Sequence, residues 1–143
     1  MKRNSIVVEE LNTLLRGTYM GIRSLEHYIQ HTESDDLKTM FQELQMETKE
    51  NAQKLAKRIQ DLGGIPADSE GFSGRFHSMI HNAMLSNDSN KMLVDAVKGI
   101  EDYGVQYSEE VVKGDLDATS LQLVEEVIDT NRKQGEMLKN YLH

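Results

Sequence analysis

Two histidine pairs and three glutamates are the residues whose types and spacing could do chemistry in this chain. His27 with His31, and His77 with His81, stand four residues apart, which places both imidazoles of a pair on one helix face. Two such rings chelate a borderline cation such as Zn²⁺ once a third ligand arrives. Glu47, Glu50 and Glu101 lie beside the midpoints of the helical pattern, where carboxylates could hold iron or manganese. A carboxylate-bridged pair of those ions asks for more. It needs one Glu from each of two helices and a Glu-x-x-His from each of two others. Three residues before His27, His31, His77, His81 and His143 stand Ser24, Tyr28, Gly74, Ser78 and Asn140, so the sequence contains no Glu-x-x-His. The histidines are therefore expected at the surface or packed in a connection. No metal and no cofactor is expected, and iron, manganese or zinc on Glu47, Glu50 and Glu101 is the alternative.

Other chemistries find less support. The chain has no cysteine, which removes thiol catalysis and disulfides and fits a reducing compartment. Its serines fall in turns and caps without a base that spacing could reveal. Gly63-Gly64 does not match a phosphate loop. Tyr103 and Tyr107 share a helix face and are expected as a buried pair, and the eight methionines as core filler. No enzyme is expected.

The elements that would position these residues are all helical. Aromatics are 6% of the chain and proline occurs once, and apolar residues recur at steps of three and four almost throughout. The first helix runs from about Asn4 or Ser5 to His31, with the stripe Val7, Leu11, Leu14, Thr18, Gly21, Leu25, Tyr28. The second, Leu37 to Leu62, carries Leu37, Phe41, Leu44, Thr48, Asn51, Leu55, Ile59, Leu62. Its Lys54 to Arg58 stretch reads as a solvated face. Gly63-Gly64-Ile65-Pro66 stops it. A turn-rich connection follows, with a short amphipathic helix expected over Phe76 to about Leu85. The third long helix carries Leu93, Val97, Ile100, Gly104, Tyr107, Val111. The last carries Leu121, Val124, Ile128, Asn131, Gly135, Leu138, Leu142, opened by a capping box at Thr119-x-x-Gln122. The expected fold is an all-α, ferritin-like four-helix bundle. Two antiparallel hairpins are joined by a long crossover, in a single domain over residues 1–143.

All four stripes turn small or polar at their midpoints. Thr18, Thr48, Asn51 and Asn131 form a core polar layer, with Gly21, Gly104 and Gly135 at the same level. A buried amide without a partner costs about 1–3 kcal/mol, so Asn51 and Asn131 are expected to be hydrogen-bonded inside the bundle.

The net charge of −8 repels phosphate backbones and anionic lipid, so no nucleic acid and no membrane is expected as partner. No stretch approaches the roughly 20 apolar residues of a membrane span, and the N-terminus lacks the apolar core of a signal peptide. The expected location is cytoplasmic.

A series of short motifs runs along the chain in a fixed order. Leu11-Asn12-x-Leu14 opens the first helix and Leu37-Lys38-x-x-Phe41-Gln42-Glu43-Leu44 the second. Gly63-Gly64-x-Pro66-x-Asp68-Ser69, Gly74-x-x-His77 and Lys98-Gly99-x-Glu101-Asp102 follow. Together, from about Leu11 to Tyr141, these resemble an uncharacterised bacterial family of ferritin-like four-helix bundles with a domain of unknown function. The resemblance implies a rubrerythrin-like bundle, dimeric, without an established activity. It also implies acids near the middle of the first and third long helices and a His late in the last, where this chain has Ile22-Arg23, Ile100 and Gly135. The expected function is that of a non-enzymatic homodimer acting through protein contacts, its di-metal site lost. One alternative is a degenerate metal-binding or redox protein using Glu47, Glu50 and Glu101. Another is a small-molecule carrier around Gly21, Gly104 and Gly135, which requires a larger cavity than a packed core leaves.

Overall fold

The computed structural model describes residues 2–69, 88–112 and 114–142. Helix α1 spans Lys2–His31 and α2 spans Asp35–Asp61. Helix α3, Ser89–Gly99, runs without a break into a π-helical stretch, Ile100–Tyr107, and then into α4, Ser108–Val111. Helix α5 spans Ala118–Tyr141. Among the described residues there is no strand. The short helix expected over Phe76 to Leu85, with His77 and His81, lies outside the described residues.

Local chemistry sets the ends of these elements. Ser34 caps α2, its hydroxyl accepting from Leu37 N at 3.2 Å, and Asp35 and Asp36 complement the positive end of the helix dipole. A connection this short makes α1 and α2 antiparallel neighbours, and their mutual packing is the most extensive among the described elements. At the other end Gly63 takes φ +85°, a conformation glycine adopts without penalty. Gly63 N then bonds Gln60 O and Gly64 N bonds Ile59 O, both at 2.9 Å. A Cβ on Gly64 would lie 2.6 Å from Val8 Cγ1, so the turn presses on α1 where a larger residue would not fit. Asn12 clamps it there, donating to Ile65 O at 3.1 Å and accepting from Ala67 N at 2.7 Å.

The last helix departs from its sequence pattern. It begins one residue before Thr119, with Asp117 at the N-cap position, so the capping box expected at Thr119 and Gln122 does not form. Leu121, expected in the core, is 40% exposed, while Ser120 is fully buried. Ser120 meets Arg58 on α2. The Arg58 Nε donates to Ser120 Oγ at 2.9 Å and its Nη2 pairs with Asp117. The face read as solvated therefore contains the tie between α2 and the start of α5.

The hydrophobic core is split. One cluster, around Leu25, Tyr28, Phe41, Leu44, Met92, Leu93 and Leu138, lies toward the α1–α2 turn. The other, around Val7, Leu11, Leu15, Leu55, Ile59, Val124 and Ile128, lies toward the Gly63 turn. Thr18, Thr48, Asn51 and Asn131 belong to neither.

Candidate functional site

Between the two clusters the helices stand apart around a cavity of about 430 Å³. Helix α1 supplies Thr18 and Gly21, and α2 supplies Thr48 and Asn51. The π-helical stretch supplies Tyr103, Gly104 and Tyr107, and α5 supplies Asn131 and Gln134. The four residues of the expected polar layer thus line one space. Much of the remaining wall is apolar, including Leu14, Leu25, Val124 and Ile128, and Asp95, Lys98 and Asp102 also line it.

Small side chains and an irregular backbone keep this space open. A Cβ on Gly21 would meet Thr48 Cγ2 at 3.9 Å and nothing closer. Gly104 instead lets α5 approach, since its Cβ would lie 3.3 Å from Asn131 Nδ2. Gly135 buries its Cα face against Ile100, whose Cγ2 would be 3.4 Å from an added Cβ; it is a packing contact. Where a regular helix was expected, the chain from Ile100 to Tyr107 is π-helical, a form that is rare and widens the helix by bonding i to i+5. Two side chains bond its carbonyls: Ser108 Oγ donates to Tyr103 O at 3.0 Å and Asn131 Nδ2 to Gly104 O at 2.9 Å. Tyr103 and Tyr107 pack edge to face at 6.3 Å, half-buried on the cavity wall rather than fully enclosed.

The polar groups of the layer are not equivalent. Thr18 donates to Leu14 O at 2.8 Å and Thr48 to Leu44 O at 2.7 Å, each within its own helix. Asn131 has its partner on Gly104. Asn51 does not follow expectation. It is 6% exposed and its Nδ2 has no acceptor among the described residues. Periodicity placed Asn51 inside but could not say whether an acceptor would face it.

The candidate metal ligands do not converge on this level. Glu47 is exposed and accepts from Gln134 Nε2 at 3.2 Å, and Glu50 is exposed. Glu101 pairs with Lys139 Nζ at 2.7 Å. His27 and His31 stack at 4.2 Å between ring centres, and His31 Nδ1 lies 3.0 Å from its own helix's His27 carbonyl. Ring lone pairs lie in the ring planes, so stacked imidazoles direct them side by side. Burial, and then His31, hold the His27 imidazole below its ordinary value. Among the described residues no three His, Asp or Glu form a group able to hold a metal ion. The donor set at the middle level, two hydroxyls and two amides, does not fit a pair of hard cations.

Two glutamines were missed. Gln134, 4% exposed, also reaches Leu44 O at 3.5 Å. Gln45, 7% exposed, donates to Ile22 O and to Glu26 Oε1, both at 3.1 Å. Gln30 and Gln45 together hold the Glu26 carboxyl below its ordinary value. Gln134 was findable, since it follows Asn131 by three positions, but its type reads as surface.

Residues 6–114 match the family described as a domain of unknown function, DUF2383. The chain belongs to that family. No curated protein and no solved structure matches it. The DUF2383 match runs from residue 6 within α1 through α4 and ends before α5, so Asn131 and Gln134 line the cavity from outside the matched segment. Within the match, the Asn12 clamp joins two of the motifs noted in the sequence, the opening of α1 and the turn after α2.

Proposed function

We propose that this DUF2383 chain is a ferritin-like bundle that binds other molecules without transforming them. The two hairpins and the long connection between α2 and α3 support the ferritin-like topology. The observation that carries the non-catalytic reading is the donor set of the middle level. Thr18, Thr48, Asn51 and Asn131 occupy the place where a di-metal bundle needs carboxylates, and Glu47 and Glu101 are engaged with Gln134 and Lys139. The bundle acts in the cytoplasm as a homodimer and through protein contacts. Exposed apolar side chains on its long helices, Met46 at 65% and Met137 at 44% among them, supply contact surface, and the lack of cysteine suits a reducing compartment.

Metal analysis of protein purified without a histidine tag tests the central point. The expected result is iron, manganese and zinc far below one per chain. A stoichiometric metal lost on replacing Glu47 or Glu101 by Gln overturns the proposal in favour of a metal or redox protein. Sedimentation equilibrium tests the homodimer.

A further inference from the structure

We infer that the central cavity is a binding site for an uncharged, mainly apolar molecule bearing one carbonyl group, with the Asn51 amide as its anchor. Three observations meet here. The space, about 430 Å³, falls within the roughly 300–1,000 Å³ of small-molecule pockets, well above the few water-sized voids of a packed core. Asn51, only 6% exposed, is one of the residues lining the cavity, and its buried Nδ2 has no acceptor among the described residues. Its neighbours in the layer are engaged: the Thr18 and Thr48 hydroxyls donate to backbone carbonyls, and the Asn131 amide nitrogen gives one of its two hydrogens to Gly104 O. Asn51 is the member of the layer whose amide nitrogen has no partner at all among the described residues.

Chemistry narrows the class. A buried donor without an acceptor is costly, so an occupant that is wholly hydrocarbon would seal the cost in, while a carbonyl oxygen would relieve it. A carboxylate would have to shed its water in a cavity whose wall carries two carboxylates, Asp95 and Asp102, against one ammonium, Lys98. The charged residues on the cavity wall, Asp95, Lys98 and Asp102, come from α3 and the π-helical stretch and are half-buried or exposed. They stand where the wall meets water. This inference goes beyond the non-catalytic reading and fails separately from it.

The test uses prodan, a neutral naphthyl ketone whose fluorescence moves to the blue on leaving water. Propylnaphthalene and a naphthoate serve as competitors without the carbonyl and with a charge. The expected result for the full chain is saturable binding of one prodan per chain with a blue shift. Displacement by the naphthoate should be weak. Asn51→Leu should weaken prodan about tenfold, the equivalent of one lost hydrogen bond, while leaving propylnaphthalene binding equal or tighter. Gly21→Leu, whose side chain would extend into the space, should abolish both. Absence of saturable binding overturns the site, as does full binding by Gly21→Leu. Unchanged prodan affinity in Asn51→Leu overturns the anchor, and naphthoate binding as tightly as the ketone overturns the uncharged class. Circular dichroism checks both variants, and because they lie on different helices either alone suffices if the other misfolds. A metal assay on the same sample reads the non-catalytic proposal independently.

Discussion

Asn51 and Asn131 sit at one level of the bundle and have opposite energetic standing. Asn131 donates to Gly104 O, so replacing it by Leu leaves that carbonyl and the π-helical backbone without a partner. A loss of about 1–2 kcal/mol is expected. Replacing Asn51 by Leu removes a buried donor that has no acceptor, and a gain of about 1 kcal/mol is expected. Urea midpoints at unchanged slope measure both; two losses of equal size would mean that Asn51 is bonded. Glu10 offers a second prediction at this scale. Burial, then the neighbouring Asp115 and Glu9 carboxylates, push its carboxyl from 4.5 up to about 7. The folded state therefore binds this proton more tightly than the unfolded chain does. The stabilisation it gives is complete below about pH 4.5 and is lost as pH rises through about 7. Glu10→Gln should flatten the fall in melting temperature between those values. A slope unchanged in the variant would assign the proton elsewhere.

At the scale of elements, Arg58 joins the end of α2 to the beginning of α5. The Ser120 hydroxyl and the guanidinium together hold the Asp117 carboxyl below its ordinary value. That contribution is present above the unfolded carboxyl's range near pH 3.8 and is lost as pH falls through the lower folded value. Arg58→Met keeps the stem and removes the charge. It should cost roughly 1–3 kcal/mol at pH 7 and less at pH 3, read from denaturant midpoints at the two pH values. A penalty that stays constant with pH would assign the effect to packing. This tie also marks where the sequence stopped being legible. The stripes of α1 and α2 predict most of their buried residues, with Met20, Gln45 and Ala52 buried beside them and Thr18 and Gly21 only half-buried, because two long amphipathic helices in an antiparallel hairpin bury the faces their periodicity defines. In the first turn of α5 Ser120 is buried in place of Leu121, while Val124, Ile128, Gly135 and Leu138 keep the expected face; Ser120 accepts from Arg58, and charge on a helix reads as surface. The π-helical stretch has no signature in side-chain type. It is a change of hydrogen-bond register, visible only once Ser108 and Asn131 are seen bonding its carbonyls.

For the whole molecule the consequence is a core in two parts. A four-helix bundle closely packed along its length transmits a change in one layer to the next. Here the level of Thr18, Thr48, Asn51 and Asn131 interposes a cavity, and the buried apolar residues around Phe41 and around Leu55 form separate clusters. The polar character of that level was readable from the four midpoints, whereas its width was not. Periodicity gives the direction of a side chain and not the distance to the helix it faces. The split is testable with a double-mutant cycle between Ile29→Val in one cluster and Ile59→Val in the other. Each change alone should cost about 0.5–1.5 kcal/mol. Across the cavity the two costs should add to within roughly 0.3–0.5 kcal/mol, the behaviour of independent sites. Repeating the cycle with saturating prodan carries the idea one step further. A molecule that fills the cavity touches both clusters at once, so the coupling should rise above that range when the ligand is bound. Coupling already large in the free protein would show that the two clusters act as a single core.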